Sequence, residues 1–202
     1  MTTQTLASVQ SKNRLYLLFI IALFTLPLAV AWLLVEQWRP AHTTHHGELL
    51  SPAQPLLDFV LHRLDGETVD DRYLQGHWTL AVLGESSSCE QACETSLYNI
   101  RQVQLALGKN MDRTQTLLML TQAPDTQMQQ WLYQEHKAMI VGVIDDTTAA
   151  LFQRVFDNGL KLDYAIYLID PLGNLFMRYD PDSNPKGVLQ DLKRVLKFSR
   201  IG

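Results

Sequence analysis

The pattern of apolar and polar positions divides the chain in two. Residues 15–35, LYLLFIIALFTLPLAVAWLLV, form an uncharged run. Its length matches the roughly 20 residues that cross a bilayer as a helix. Tyr16 suits one membrane interface, and Trp32 and Trp38 suit the other. Pro27 predicts a kink that membrane helices tolerate. Lys12 and Arg14 precede the run and Arg39 follows it, a modest asymmetry that places the N-terminus in the cytoplasm. A cleaved signal peptide is the rival. The run is longer than a signal h-region and no small-residue cleavage pattern follows, so an uncleaved anchor is expected. The expected organisation is a cytoplasmic N-terminus at 1–14, a transmembrane anchor at 15–38, a juxtamembrane linker at 39–55 and a folded domain at 56–202.

Within that domain the apolar period changes repeatedly. Residues 57–62 alternate as a strand, the Asp65-Gly66 pair makes a turn, and 68–74 return. Residues 78–83 are continuously apolar, as in a central strand buried on both faces. A helical stripe through Leu97, Ile100, Val103, Leu105 and Leu107 then runs to Gly108, a C-cap candidate. A second buried strand follows at 116–120. Asp125 caps a helix carrying Met128, Trp131 and Leu132 that ends near His136. An apolar segment follows at 139–144. Asp145 and Asp146 cap a helix with Leu151, Val155 and Phe156, closed by Asn158-Gly159. Residues 164–169 and 175–179 flank the Asp170-Pro171-Leu172-Gly173-Asn174 turn as a hairpin. Pro185 opens a last helix with Val188, Leu189, Leu192, Val195, Leu196 and Phe198 on one face. Buried strands alternating with helices predict an α/β fold with parallel central strands, and the late hairpin makes the sheet mixed.

The 202 residues, 47% hydrophobic and 19% charged, suffice for one membrane segment and one globular domain. A net charge of -4 and a pI near 5.8 argue against nucleic-acid binding. Two cysteines exclude a disulfide-rich scaffold but leave room for one reversible pair. There is no phosphate-binding glycine loop, no haem attachment motif and no defensible Ser/His/Asp arrangement.

That pair is Cys89 and Cys93, in SSSCEQACE directly after the buried strand. Ser86, Ser87 and Ser88 are N-cap candidates, so the expected helix begins near Cys89 and carries both sulfurs at i and i+4 on one face. The helix dipole favours a thiolate on Cys89, while Glu90 and Glu94 oppose it. A disulfide at i and i+4 is reachable without being relaxed, which suits exchange better than scaffolding. Two buried structural cysteines are the plain alternative. The polar flanks Ser88, Glu90, Gln91, Glu94 and Thr95 favour a functional dithiol. A dithiol on the helix after the first central strand is the thioredoxin arrangement.

The chain resembles the Sco/SenC family on an ordered set of residues. These are Phe59 to Gly66 (FVLHRLDG), Gly76-His77-Trp78, the strand into Gly84 with the C-x-x-x-C pair, and Tyr167 to Gly173 (YLIDPLG). The resemblance covers about residue 57 onward, with the anchor in the corresponding place. It implies a thioredoxin-like fold with a central mixed sheet flanked by helices. It also implies a periplasmic domain on a single-pass inner-membrane anchor, and copper(I) handling in cytochrome c oxidase assembly. The chain departs from the family pattern in its motifs. The prolines usual between and after the cysteines are replaced by Glu90-Gln91-Ala92 and Glu94. The histidine usual as third copper ligand is missing, its position falling at or near Leu162. The chain is therefore similar to a divergent Sco-like protein.

The expected function is assistance to cytochrome c oxidase assembly through Cys89 and Cys93. The pair would hold copper(I), which favours thiolates, or carry out thiol–disulfide exchange, with Cys89 as nucleophile and Cys93 as resolving thiol. The expected partner is an oxidase subunit carrying a copper site, or another assembly factor. The alternatives are a non-catalytic assembly scaffold and a general disulfide reductase. His136, His77 and His62 are candidates for a third metal ligand, each more often a plain histidine. His42, His45 and His46 read as part of a polar tether. Met119, Met128 and Met139 read as core, Asp145-Asp146 as a cap, and Arg178 with Asp180 and Asp182 as surface and turn.

Overall fold

The structure is a computed structural model that describes residues 3–37, 45–85, 88–155 and 163–201. It divides into two units, 1–44 and 45–202, taken in turn.

The first unit holds helix α1 (Thr3–Gln37), with Pro27 inside it. Residues Arg14–Leu34 within it are long and apolar enough to cross a membrane. The apolar side chains from Leu15 to Leu34 are exposed. The Thr25 hydroxyl donates to the Ile21 carbonyl 2.9 Å away, so this polar group is satisfied within the helix.

The second unit is built on strand β4 (Trp78–Gly84), buried at all seven positions. Leu80 and Val82 face one core, and Ala81 and Leu83 face the other. That period of two, apolar on both sides, requires a cover on each face. Helices α2 (Gln91–Ala106), α3 (Thr126–Glu135) and α5 (Pro185–Phe198) supply the first cover, and α4 (Asp146–Val155) supplies part of the second. β4 pairs in parallel with β5 (Thr114–Leu120), and β5 in parallel with β6 (Ile140–Ile144). On its other side β4 is antiparallel to β7 (Asp163–Ile169), which forms the hairpin with β8 (Asn174–Tyr179). The hairpin of β2 (Val60–Arg63) and β3 (Thr68–Asp70) extends the sheet beyond β6. The fold is thioredoxin-like, with a mixed sheet and helices on both faces, as the sequence predicted.

Local capping follows the sequence. The Asp125 carboxylate accepts from Met128 N at 2.7 Å and Asp145 from Thr148 N at 2.8 Å. Gly108 follows α2 with φ +56, the left-handed position that favours glycine. Asn158 and Gly159, expected to close α4, lie outside the described residues.

Two features differ from the expectation. Residues read as linker form strand β1 (Glu48–Pro55), antiparallel to β8 at the sheet edge. Pro52 and Pro55 lack an N–H, and an edge strand is where a sheet accepts that. Arg178, read as surface, is only 6% exposed. Its buried guanidinium is held by Asp163 at 2.7 Å and Asp180 at 2.6 Å, two carboxylates that themselves reach solvent.

Candidate thiol–disulfide site

β4 delivers the chain to the end of the sheet at Gly84. Ser88 and Cys89 follow, Glu90, in extended backbone, is the N-cap of α2, and Gln91 is its first residue. Cys89 therefore precedes the helix and Cys93 is the third residue in it. This corrects the expectation that both cysteines ride on one helical face. The capping serines are corrected too. Ser86 and Ser87 lie outside the described residues, and the N-cap is Glu90, whose side chain makes no capping bond. The two Cα atoms are 5.2 Å apart and the sulfurs are joined as a disulfide.

The two sulfurs have different surroundings. Cys93 is 0% exposed, in the core with Leu97, Tyr164 and Ile166. Cys89 is half-buried and lines a cleft of ≈ 200 Å³ with Ser88, Glu94, Asp125, Gln127, Met128 and Trp131. Solvent therefore meets Cys89 first. Two larger grooves, ≈ 560 and ≈ 600 Å³, flank His136 and hold no cysteine.

The start of β7 packs beside the end of β4 and against α2. Asp163 pairs with Gly84, and the Ser96 hydroxyl of α2 donates to the Tyr164 carbonyl at 2.7 Å. A Cβ on Gly84 would lie 2.1 Å from Tyr164 Cε1, so glycine lets the Tyr164 ring lie across the end of β4. Tyr164 has φ +60, a conformation that disfavours most side chains. Arg178 then ties Asp163 to Asp180. Burial pushes the nearby Tyr167 hydroxyl up to about 12, against the pull of the Arg178 guanidinium. The position near Leu162 lies outside the described residues, but the segment that holds it leads directly into Asp163.

None of the three folded-domain histidine candidates is brought to the sulfurs. His136 is 8% exposed and packs edge-on to Trp131, ring centroids 4.9 Å apart, so Trp131 stands between it and the cleft. Burial, with Arg101 nearby, lowers its pKa. His77 precedes β4 at the end away from Gly84, about 20 Å along the strand at ~3.3 Å per residue. His62 is on β2, three strands from β4, or about 14 Å at ~4.8 Å per strand. Among the described residues no three His, Cys, Asp or Glu side chains group to hold a metal ion. Copper(I) cargo would find two thiolates here once the disulfide is reduced, with no histidine lining the same cleft among the described residues.

Of the tether histidines, His42 lies outside the described residues. His45 Nδ1 donates to the Gly47 carbonyl at 2.6 Å. His46 is a clamp. Its backbone N–H donates to Asp191 Oδ2 at 2.7 Å and its ring Nδ1 to Oδ1 at 3.2 Å. The Tyr179 hydroxyl also donates to Asp191, whose carboxylate is 2% exposed, and burial with that carboxylate raises the Tyr179 pKa. Asp191 escaped the sequence reading although it carries a signal. It lies three residues after Val188 and one before Leu192, inside the apolar stripe of α5.

Residues 78–199 match the family model described as transmembrane-like, thioredoxin-like, C-terminal domain. Comparison of the sequence with curated proteins finds no match. Among solved structures the domain is similar to copper-bound Bradyrhizobium japonicum ScoI, at 23% identity and TM-score 0.53, covering 67% of this chain and 96% of that one. It is similar to copper-bound yeast Sco1, at 15% identity and TM-score 0.58, covering 72% and 96%. It is also similar to BsSco, a Sco-family cytochrome c oxidase assembly protein described with a disulfide switch, at 13% identity and TM-score 0.57, covering 73% and 96%. The Sco-like fold expected from the sequence is the fold observed.

Proposed function

Because the chain belongs to the family of transmembrane-like, thioredoxin-like C-terminal domains, we propose that it is a membrane-anchored thiol–disulfide protein of cytochrome c oxidase assembly. Its anchor is the apolar helix, and its folded domain works in the bacterial periplasm, where disulfides persist. In this reading Cys89 is the nucleophile and Cys93 the resolving thiol. The reduced pair keeps the cysteines of an oxidase copper site in the thiol form. The Cys89 thiolate attacks the partner's disulfide, and one partner thiolate leaves. The Cys93 thiolate then attacks Cys89 Sγ, releasing the second. Two electrons pass to the partner, and the Cys89–Cys93 disulfide remains. The observation that carries this is the asymmetry of the pair, a half-buried Cys89 at a cleft bonded to a buried Cys93.

The test mixes the reduced full-length chain, in neutral detergent, with an oxidase subunit whose copper-site cysteines have been oxidised. Free thiols are expected to appear on the subunit, and not with Cys89→Ser. Thiol release no greater than with that variant would refute the reading. Copper(I) delivery is the second reading, favoured by the copper-bound ScoI and Sco1 structures that share this fold. It requires tight one-to-one binding by the reduced chain against a competing chelator, lost in Cys89→Ser/Cys93→Ser. A double variant that still supports oxidase assembly would leave the scaffold reading in place.

A further inference from the structure

The disulfide sits in a one-signed rim. Glu94 and Asp125 line the cleft beside Cys89, and neither Lys nor Arg lines it among the described residues. Glu90, next to Cys89 and exposed, is the helix N-cap without a side-chain capping bond, so its carboxylate is not spent on the helix. Glu85, also exposed, stands where the chain leaves β4. The positive end of α2 offsets this by about half a charge, less than one carboxylate. Met128 and Trp131 add an apolar wall to the same cleft.

We propose that this rim selects the substrate, a cysteine-bearing polypeptide segment whose flanks carry lysine or arginine. The inference rests on the exchange function proposed above and names its substrate class. The physical reason is the charge at the reacting centre. Exchange brings a thiolate to a disulfide and spreads one negative charge over three sulfurs. The rim opposes that charge, and cationic groups carried by the partner relieve the opposition. One unit charge about 10 Å from another in water alters an encounter by about twofold at low salt. The effect fades when the Debye length falls below that separation, at about 0.1 M salt and above. Several carboxylates acting together steer a cationic partner to Cys89 and turn an anionic one away.

The test is reduction of the oxidised full-length chain in neutral detergent by three small thiols: cysteamine, 2-mercaptoethanol and 3-mercaptopropionate. The attacking thiolate opens the bond at Cys89 Sγ, and the electron pair leaves on Cys93 Sγ, which takes a proton from water. A second thiol completes reduction and is itself released as the small disulfide. Rates are read by alkylation and mass shift, expressed per thiolate, and divided by each thiol's rate with a neutral model disulfide. Cysteamine is expected to lead and 3-mercaptopropionate to trail by about fivefold or more at 20 mM ionic strength, narrowing to about twofold or less at 0.5 M. Glu90→Gln/Glu94→Gln, at two exposed positions, is expected to compress the spread at low salt. Equal normalised rates for the three thiols, or a spread unchanged in that variant, would overturn the selectivity alone. Reduction by none of them would remove the exchange function and the selectivity together.

Discussion

Reducing the Cys89–Cys93 disulfide is expected to leave the domain folded and to lower its unfolding midpoint by several degrees. The bridge joins residues only four apart. In the chain-entropy view so short a loop constrains the unfolded chain by about 2 kcal/mol, against about 3 kcal/mol for a 15-residue loop. At about 2–4 °C per kcal/mol for a domain of this size, the drop is about 4–8 °C. The packing around the pair does not depend on the bond. Cys93 is 0% exposed in an apolar cluster, where a thiol behaves as a small hydrophobe. The assay is thermal unfolding followed by near-ultraviolet circular dichroism, with and without a phosphine reductant, on the full-length chain in neutral detergent. Cys89→Ser, at a half-buried site, is expected to track the reduced protein. Cys93→Ser is expected to fall further, because a hydroxyl left unpaired in the core costs about 1–3 kcal/mol more. Loss of the tertiary signal at 25 °C on reduction would refute the reasoning. It would make the disulfide a structural staple, unfit for a domain that must stay folded in both redox states.

Three other outcomes follow from the packing. Gly84→Ala puts a Cβ 2.1 Å from the Tyr164 ring, and the forced shift is expected to cost about 1–3 kcal/mol in denaturant unfolding. A variant within about 0.5 kcal/mol of the wild type would show that the ring moves aside freely. Burial lowers the His136 pKa below the ordinary histidine value of about 6.5, so the unfolded chain takes up this proton more readily. The contribution of His136 is therefore intact above pH 6.5 and is lost as the pH falls through it. His136→Gln should show a flatter fall of the urea midpoint between pH 7.5 and 5.5, and identical profiles would contradict this. Asp191→Ala removes the buried acceptor shared by His46 and Tyr179 and is expected to cost about 1–3 kcal/mol. His46→Ala, on the half-exposed side of the clamp, should cost less, and equal losses would count against the clamp.

Much of the fold was legible because its signals are local. The uncharged run of α1, the continuous apolar run of β4 and the stripe of α5 each state a period that one element satisfies by itself. Asp125 and Asp145 cap the helices that follow them, using N–H groups three residues away. The cysteine pair was legible too, as the only two sulfhydryls, placed after a buried strand. The rest depended on distant parts of the chain. Glu48–Pro55 became a strand because the free edge of β8 accepts it, and nothing within those eight residues announces that edge. Asp191 is buried because His46, 145 residues earlier, meets it, and Arg178 is buried because Asp163 and Asp180 do. Whether a charge on an apolar face is covered or turned to water is decided by a partner that sequence spacing does not reveal. For the same reason the sequence by itself nominated Cys89 and Cys93. Only the tertiary structure showed Cys89 outside the helix at a cleft, Cys93 sealed in the core, and His136 held behind Trp131.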